Sequence, residues 1–160
     1  TPQGELPELP RLGIAFCLPA AYDNFTWYGR GPQGNYPDRK TSADMGRWSG
    51  KVKDQYTHYP RPQESGNKED VHYLTLTNNK GKVLRIDAIG ETFSASALHY
   101  TAQDIYAASH DYLLKARPEV ILSMDAAILG LGNSSCGPGV LKKYAIEKKP
   151  HTLTVRVGKK

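Results

Sequence analysis

The sequence has 160 residues, of which 15 are glycine and 11 proline; that is long enough for one domain with a sizeable core, and favours a loop-rich β protein over a helical bundle. The formal charge is +5, but the basic residues are scattered and the densest groups (Lys142-Lys143, Lys148-Lys149, Lys159-Lys160) are only pairs. This pattern speaks against a nucleic-acid surface and for solubility. No apolar run is long enough to span a membrane.

Residues 1–10, TPQGELPELP, hold three prolines and no periodicity and read as a linker or extended arm ahead of a domain over 11–160. Leu12, Ile14, Phe16 and Leu18 then alternate with smaller residues, the period of a half-buried strand. Phe25 and Trp27 alternate again and lead into WYGRGPQGNYPDR, residues 27–39. Its glycines and prolines exclude both a helix and a regular central strand, so it reads as a long rigid loop. Its rings with Arg39 and Asp38 nearby suit either a sugar-facing rim or the packed end of a β-sandwich. Residues 40–54 are polar, with Met45 and Trp48 as anchors, and read as a short helix or coil.

A second loop, 56–70, carries Pro60, Pro62 and the turn residues Ser65-Gly66-Asn67, with Arg61, Gln63, Glu64, Asn67 and Asp70 as hydrogen-bonding groups. Strands are then expected at 71–77 and 83–89 around a turn at 78–81, and at 93–100. Thr101-Ala102-Gln103-Asp104 has the form of a helix start, giving a short helix over 102–109. Strands follow at 112–116 and 120–126. A third loop, GLGNSSCGPG at 130–139, leads to a closing strand pair at 140–147 and 152–157. The sum is an all-β, antiparallel β-sandwich with one short helix.

The residues show no catalytic set. Glycoside hydrolysis takes two carboxyl groups across the scissile bond, and no spacing pairs any two of Asp38, Glu64, Asp70, Asp87 and Asp125. His58, His72, His99, His110 and His151 are spread along the chain without metal spacing. Cys17 and Cys136 form no disulfide framework and read as small buried hydrophobes. Their sparse use leans towards a reducing compartment, and leaves both cytoplasm and periplasm open for a soluble chain. The glycine-rich third loop lacks the residues of a phosphate-binding loop. A start at Thr, with no Met or leader, suggests a piece of something longer.

WYGRGPQGNYPDRK, YTHYPRPQESGNKEDVHYLTLTN, the 100–114 stretch and MDAAILGLGNSSCGPG together resemble, in order, the C-terminal domain of the family 2 glycoside hydrolases, the large β-galactosidases. The resemblance runs over about residues 8–157. It implies part of a galactose-mutarotase-like supersandwich, belonging to an enzyme that hydrolyses terminal β-galactosides with retention. The catalytic glutamates and the magnesium ligands of that family sit on a barrel absent from this sequence. The implied role is therefore accessory: to complete the substrate pocket and support assembly, with no catalytic residue, metal or cofactor of its own.

The family's pocket loop corresponds to 130–139 and offers Asn133, Ser134, Ser135 and Cys136, with Cys136 where some members place a Trp. Gly34 stands where a Glu is frequent. Glu64 and Asn67 become candidates for the sugar-facing side. Trp27, Tyr28, Gly31, Pro32, Tyr36, Asp38 and Arg39 become a structural signature loop, with Trp27 and Tyr28 as packing and Asp38-Arg39 as a charge-assisted pair that holds it. The expected partners are the rest of the parent polypeptide and a β-galactoside. Apolar surface left where the missing parts pack opens the chain to self-association. The rival reading is a stand-alone carbohydrate-binding or mutarotase-like domain acting on free sugar, with His58 or His72 beside Glu64.

Overall fold

The structure, a computed structural model, describes residues 8–134 and 136–159; most of the expected arm, and Ser135, lie outside them. Among the described residues two antiparallel sheets face each other. In chain order the strands are β1 Arg11–Leu18, β2 Asn24–Gly31, β3 Asp44–Lys51, β4 Lys68–Val71, β5 Tyr73–Thr77, β6 Val83–Ala88, β7 Phe93–Leu98, β8 Val120–Ile128 and β9 Val155–Lys159, with one helix, α1 Ala102–Ala107. The four-stranded sheet runs β1-β8-β7-β4 and the five-stranded sheet β3-β2-β5-β6-β9. The all-β sandwich expected from the alternation is the fold found.

Alternation explains the core. Phe25, Trp27, Leu74, Leu76 and Ile86 point inward from the larger sheet and meet Phe93, Ala95, Ala97, Val120, Leu122 and Met124 from the smaller one. The opposite face of the smaller sheet carries Ser94, Ser96, Ser123 and Asp125, in register as Ser94 opposite Asp125 and Ser96 opposite Ser123. Those residues are buried too. The second loop and α1 lie over them, packing Tyr56, Leu98 and Ile105 into a small cluster. Helix α1 starts where expected, on a capping box: Thr101 Oγ1 accepts from the Asp104 amide at 3.1 Å, and Asp104 Oδ2 accepts from the Thr101 amide at 2.8 Å.

Several expectations are corrected. Trp27 to Gly31 is not loop: it continues β2, which runs between β3 and β5. Its glycines serve close approach. A Cβ at Gly29 would sit 3.0–3.1 Å from backbone atoms of residues 69–71, and one at Gly31 would sit 2.6 Å from the Trp48 ring. The same ring explains why 40–54 did not read as a strand. β3 turns Gly46, Trp48 and Gly50 to its more buried side, and a Cβ at Gly46 would lie 3.0 Å from the indole, so the large-residue period is missing. The second loop ends early, because Lys68, Glu69 and Asp70 already belong to β4. The chain then changes sheets through His72, whose amide donates to the Tyr28 carbonyl at 2.8 Å and whose carbonyl accepts from the Ala88 amide at 2.8 Å.

Residues 112–116 and 140–147 are not strands. They hold 3-10 turns at Asp111–Leu113 and Lys142–Tyr144, and neither run pairs into a sheet. Cys17 and Cys136 are exposed, not buried. Cys17 sits on edge strand β1 opposite Ile121, away from the core side, and Cys136 sits in the third loop.

Candidate functional site

The loop that follows β2 reaches three other parts of the chain in five residues. Asn35, fully buried, forms a reciprocal pair with Asn67. Its amide donates to the Asn67 carbonyl at 2.9 Å, and Asn67 Nδ2 donates to the Asn35 carbonyl at 2.9 Å. Asn35 Oδ1 also accepts from the Glu69 amide at 2.8 Å. Asn67 Nδ2 and the Ser94 hydroxyl both donate to Glu69 Oε1, at 2.8 and 2.6 Å. Asn67 is therefore an internal brace, placed away from any open cleft, and its Oδ1 is buried without a partner. Gly34 fits beside this pair because a Cβ there would already lie 3.2 Å from the Gly66 amide nitrogen.

Tyr36 comes next, buried, with its hydroxyl donating to Glu64 Oε1 at 3.1 Å. Burial, then the negative charge of Glu64, pushes the phenol well above its ordinary pKa, so it stays a neutral donor. Glu64 also lies 3.9 Å from Arg11 Nη2, which stands 3.2 Å from Asp125 Oδ2. The Arg11–Asp125 contact is an ion pair whose angles do not make a hydrogen bond. Burial pushes the Asp125 carboxyl up to about 6 against the pull of Arg11. Gly13 makes this possible: a Cβ there would lie 2.4 Å from Asp125 Oδ1, and a bulge interrupts the register between Leu12 and Gly13.

Asp38 and Arg39 turn to the third loop, 93 and 94 residues along the chain. Asp38 Oδ1 and Oδ2 accept from the amides of Leu131 and Gly132 at 3.1 and 2.8 Å. Arg39 Nη2 donates to the Gly132 carbonyl and, at 3.3 Å, to Asn133 Oδ1. The expected Asp38-Arg39 pair is thus corrected: each side chain holds the third loop instead of the other.

Behind the loop, Trp27 is packing, as expected, stacked on Phe25 at 4.9 Å with its Nε1 donating to the Arg30 carbonyl at 2.9 Å. Tyr28 lies instead on the outer face, against His72 and Tyr73. The Gly31–Pro32 peptide is cis. The Pro32 carbonyl accepts from the buried amine of Lys68 at 3.1 Å, which also stands 4.8 Å over the Trp27 ring. Burial lowers that amine to about 8.

These contacts leave a cleft of about 460 Å³ between the second and third loops. Arg39, Tyr59, Gln63 and Glu64 form one wall, and Leu131 to Ser134 with Cys136 form the other. Of the expected pocket residues, Glu64, Asn133, Ser134 and Cys136 come together here, while Ser135 lies outside the described residues. Sequence reading missed Tyr59 as a wall residue and the Arg11–Asp125 pair behind Glu64. The only signal for Tyr59 was a ring among prolines. The cleft offers hydrogen bonds from Arg39, Gln63, Asn133 and Ser134, an aromatic ring and one carboxylate among its described lining residues.

One carboxylate is half of what glycoside hydrolysis takes. The two histidines of the mutarotase-like rival are turned to partners other than Glu64. His58 Nδ1 lies 2.8 Å from Asp111 Oδ1, and His72 packs on Tyr28. Among the described residues there is no group of three or more His, Cys, Asp or Glu placed to hold a metal ion. A second cleft, about 310 Å³, lies under residues 143–151 beside Glu69 and Asp70, with none of the expected pocket residues on its walls. No helix among the described residues is long and apolar enough to cross a membrane.

The sequence matches the family model described as "Beta galactosidase small chain" over residues 1–157. The chain belongs to the β-galactosidase small-chain family. Relatives named β-galactosidase include one from Priestia megaterium, 42% identical over 131 residues, with 82% of this chain and 13% of the relative covered. Another, from Arthrobacter sp. strain B7, is 36% identical over 152 residues, covering 92% of this chain and 15% of the relative. A third, from Kluyveromyces lactis, is 34% identical over 144 residues, covering 88% and 14%. The match thus spans 13–15% of these relatives' length.

Proposed function

We propose that this chain is the C-terminal accessory domain of a β-galactosidase that hydrolyses terminal β-galactosides with retention. Its task is to complete the substrate pocket with the third loop and to support assembly of the longer polypeptide. The carboxylate pair, and the magnesium the resemblance implies, would be supplied by other parts of that polypeptide. The observation that carries the reading is the cleft between Arg39, Glu64 and the third loop, polar and lined by a single described carboxylate. Such a wall can bond sugar hydroxyls and cannot by itself run two-carboxylate chemistry. Cys136 would present a small thiol to the sugar, with Asn133 and Ser134 beside it.

The assembly role is supported by apolar residues on the core side of two of the edge strands, β1 and β9. Ile14 and Phe16 of β1 pair in register with the buried Met124 and Leu122, and Val157 of β9 with the buried Ile86. They therefore face the space between the sheets, yet Ile14, Phe16 and Val157 remain 46%, 42% and 58% exposed. Core-facing side chains left this open suit further chain packed against them.

The test is hydrolysis of a chromogenic β-galactoside, with calorimetric titration of galactose and lactose, on this chain and on the full-length polypeptide. Turnover by the full-length protein and none by the chain alone is the expected outcome. Hydrolysis by the repurified chain would overturn the reading. Sugar binding by the chain, with no hydrolysis by the full-length protein, would favour a carbohydrate-binding domain.

A further inference from the structure

We propose that Asp38 and Arg39 are positioning residues for the substrate pocket: they fix the stance of the third loop, and through it the face that Asn133 turns to a sugar. The inference rests on the pocket reading above. Four hydrogen bonds join this dipeptide to three consecutive residues, Leu131, Gly132 and Asn133, and they do different work.

Asp38 holds the backbone. The amides of Leu131 and Gly132 converge on its two carboxylate oxygens, as a turn of successive N–H groups holds an anion. The loop is shaped for that guest. A Cβ at Gly130 would lie 2.9 Å from Asp38 Cγ and 3.1 Å from its Oδ1, so any side chain there would push the carboxylate out. Gly132 has φ +60, and a Cβ on it would meet the Val140 nitrogen at 2.7 Å, which reserves that position for glycine.

Arg39 sets the side chain. A guanidinium only donates, so the Asn133 end that faces it is the oxygen, and the Nδ2 end is turned from it. Asn133 then offers donors rather than an acceptor to the cleft, which suits a sugar hydroxyl oxygen. Arg39 lines the cleft and Asp38 does not. An effect of Asp38 on substrate must therefore travel through the loop, which makes it the decisive position.

The experiment uses the full-length β-galactosidase carrying this chain. Asp38→Asn keeps the shape but removes one acceptor. It is expected to speed deuterium exchange in the peptide covering 130–134 and to raise KM for a chromogenic β-galactoside roughly tenfold, a charged acceptor being lost, with kcat changed far less. Arg39→Lys keeps charge but not the fork and is expected to raise KM by roughly threefold. Gly130→Ala, which displaces the carboxylate from the loop side without altering Asp38, is expected to reproduce Asp38→Asn and keeps the test open if that variant fails to fold.

Unchanged exchange and KM in Asp38→Asn and Gly130→Ala, while Asn133→Ala raises KM, would overturn the clamp and leave the pocket reading standing. Faster exchange in Asp38→Asn with no KM change in any variant, Asn133→Ala and Cys136→Ala included, would overturn the pocket reading and the positioning role with it.

Discussion

The loop end of this domain and its edge strands β1 and β9 are finished in opposite ways. At the loop end the chemistry is polar, and most of it is satisfied from within: Asn35 with Asn67, Tyr36 with Glu64, Asp38 and Arg39 with the third loop. At the edge strands the chemistry is apolar and unfinished, with Ile14, Phe16 and Val157 facing the space between the sheets and still exposed. The contrast has a physical cause. Buried polar groups must find partners at defined angles, so a polar surface that keeps its shape carries its own scaffold. Apolar contact is non-directional, and whatever covers it can come from further chain. The polar cleft is held by its own chain, whereas the apolar surface proposed for assembly is left uncovered.

The largest expected effect comes from breaking the polar scaffold. Asn35→Ala removes both side-chain donors and the acceptor for the Glu69 amide. At about 1–3 kcal/mol for each buried group left unpaired, the loss should be on the order of 4 kcal/mol in urea unfolding. A loss below about 1 kcal/mol would show that the loop end is no better determined than the open edge.

Asp125 sharpens the same point through pH. Its folded pKa is raised to about 6 by burial, so between the ordinary carboxylate range and pH 6 the folded state binds more protons than the unfolded. Stability from this group is present at low pH and falls as pH rises through that window. Asp125→Asn should remove that dependence. Its stability relative to wild type should improve from pH 4 to pH 7 by about 2–3 kcal/mol, read from urea midpoints at both values. An advantage that is flat with pH would mean that Arg11 already compensates the buried charge.

How legible these regions were follows from the same division. Strands whose inward positions are filled by large apolar residues, such as β5 with Leu74 and Leu76 or β8 with Val120, Leu122 and Met124, announce themselves by alternation. β3 does not, because two of its inward positions are glycines, Gly46 beside the Trp48 ring and Gly50 beside the Gln55 side chain. The exposed Tyr112 and Leu141 sit in runs that looked like strands but pair into neither sheet. In the cleft, Glu64, Asn133 and Cys136 were legible only through the family motifs, which fix positions without geometry. The clamp bonds span 93 and 94 residues, a separation at which local pattern says nothing. Asn67 looked as polar as Glu64 in the same loop. Only the three-dimensional arrangement separates a buried brace from a cleft wall.

The smallest expected change tests the open edge itself. Phe16 lies on the core side of β1 but keeps 42% of its surface exposed, whereas its cross-strand neighbour Leu122 is fully buried. Truncating Leu122 to Ala should cost about 2–5 kcal/mol, the range for a buried leucine. Phe16→Ser, on a half-covered ring, should cost about 1 kcal/mol or less in the isolated chain. The same substitution should lower self-association of the chain in sedimentation velocity and, in the full-length polypeptide, should cost more than it does in the isolated chain if further chain packs on the ring as the assembly role requires. Equal cost in fragment and full-length protein would mean that nothing packs on β1, and the assembly role would then have to be sought elsewhere on the domain.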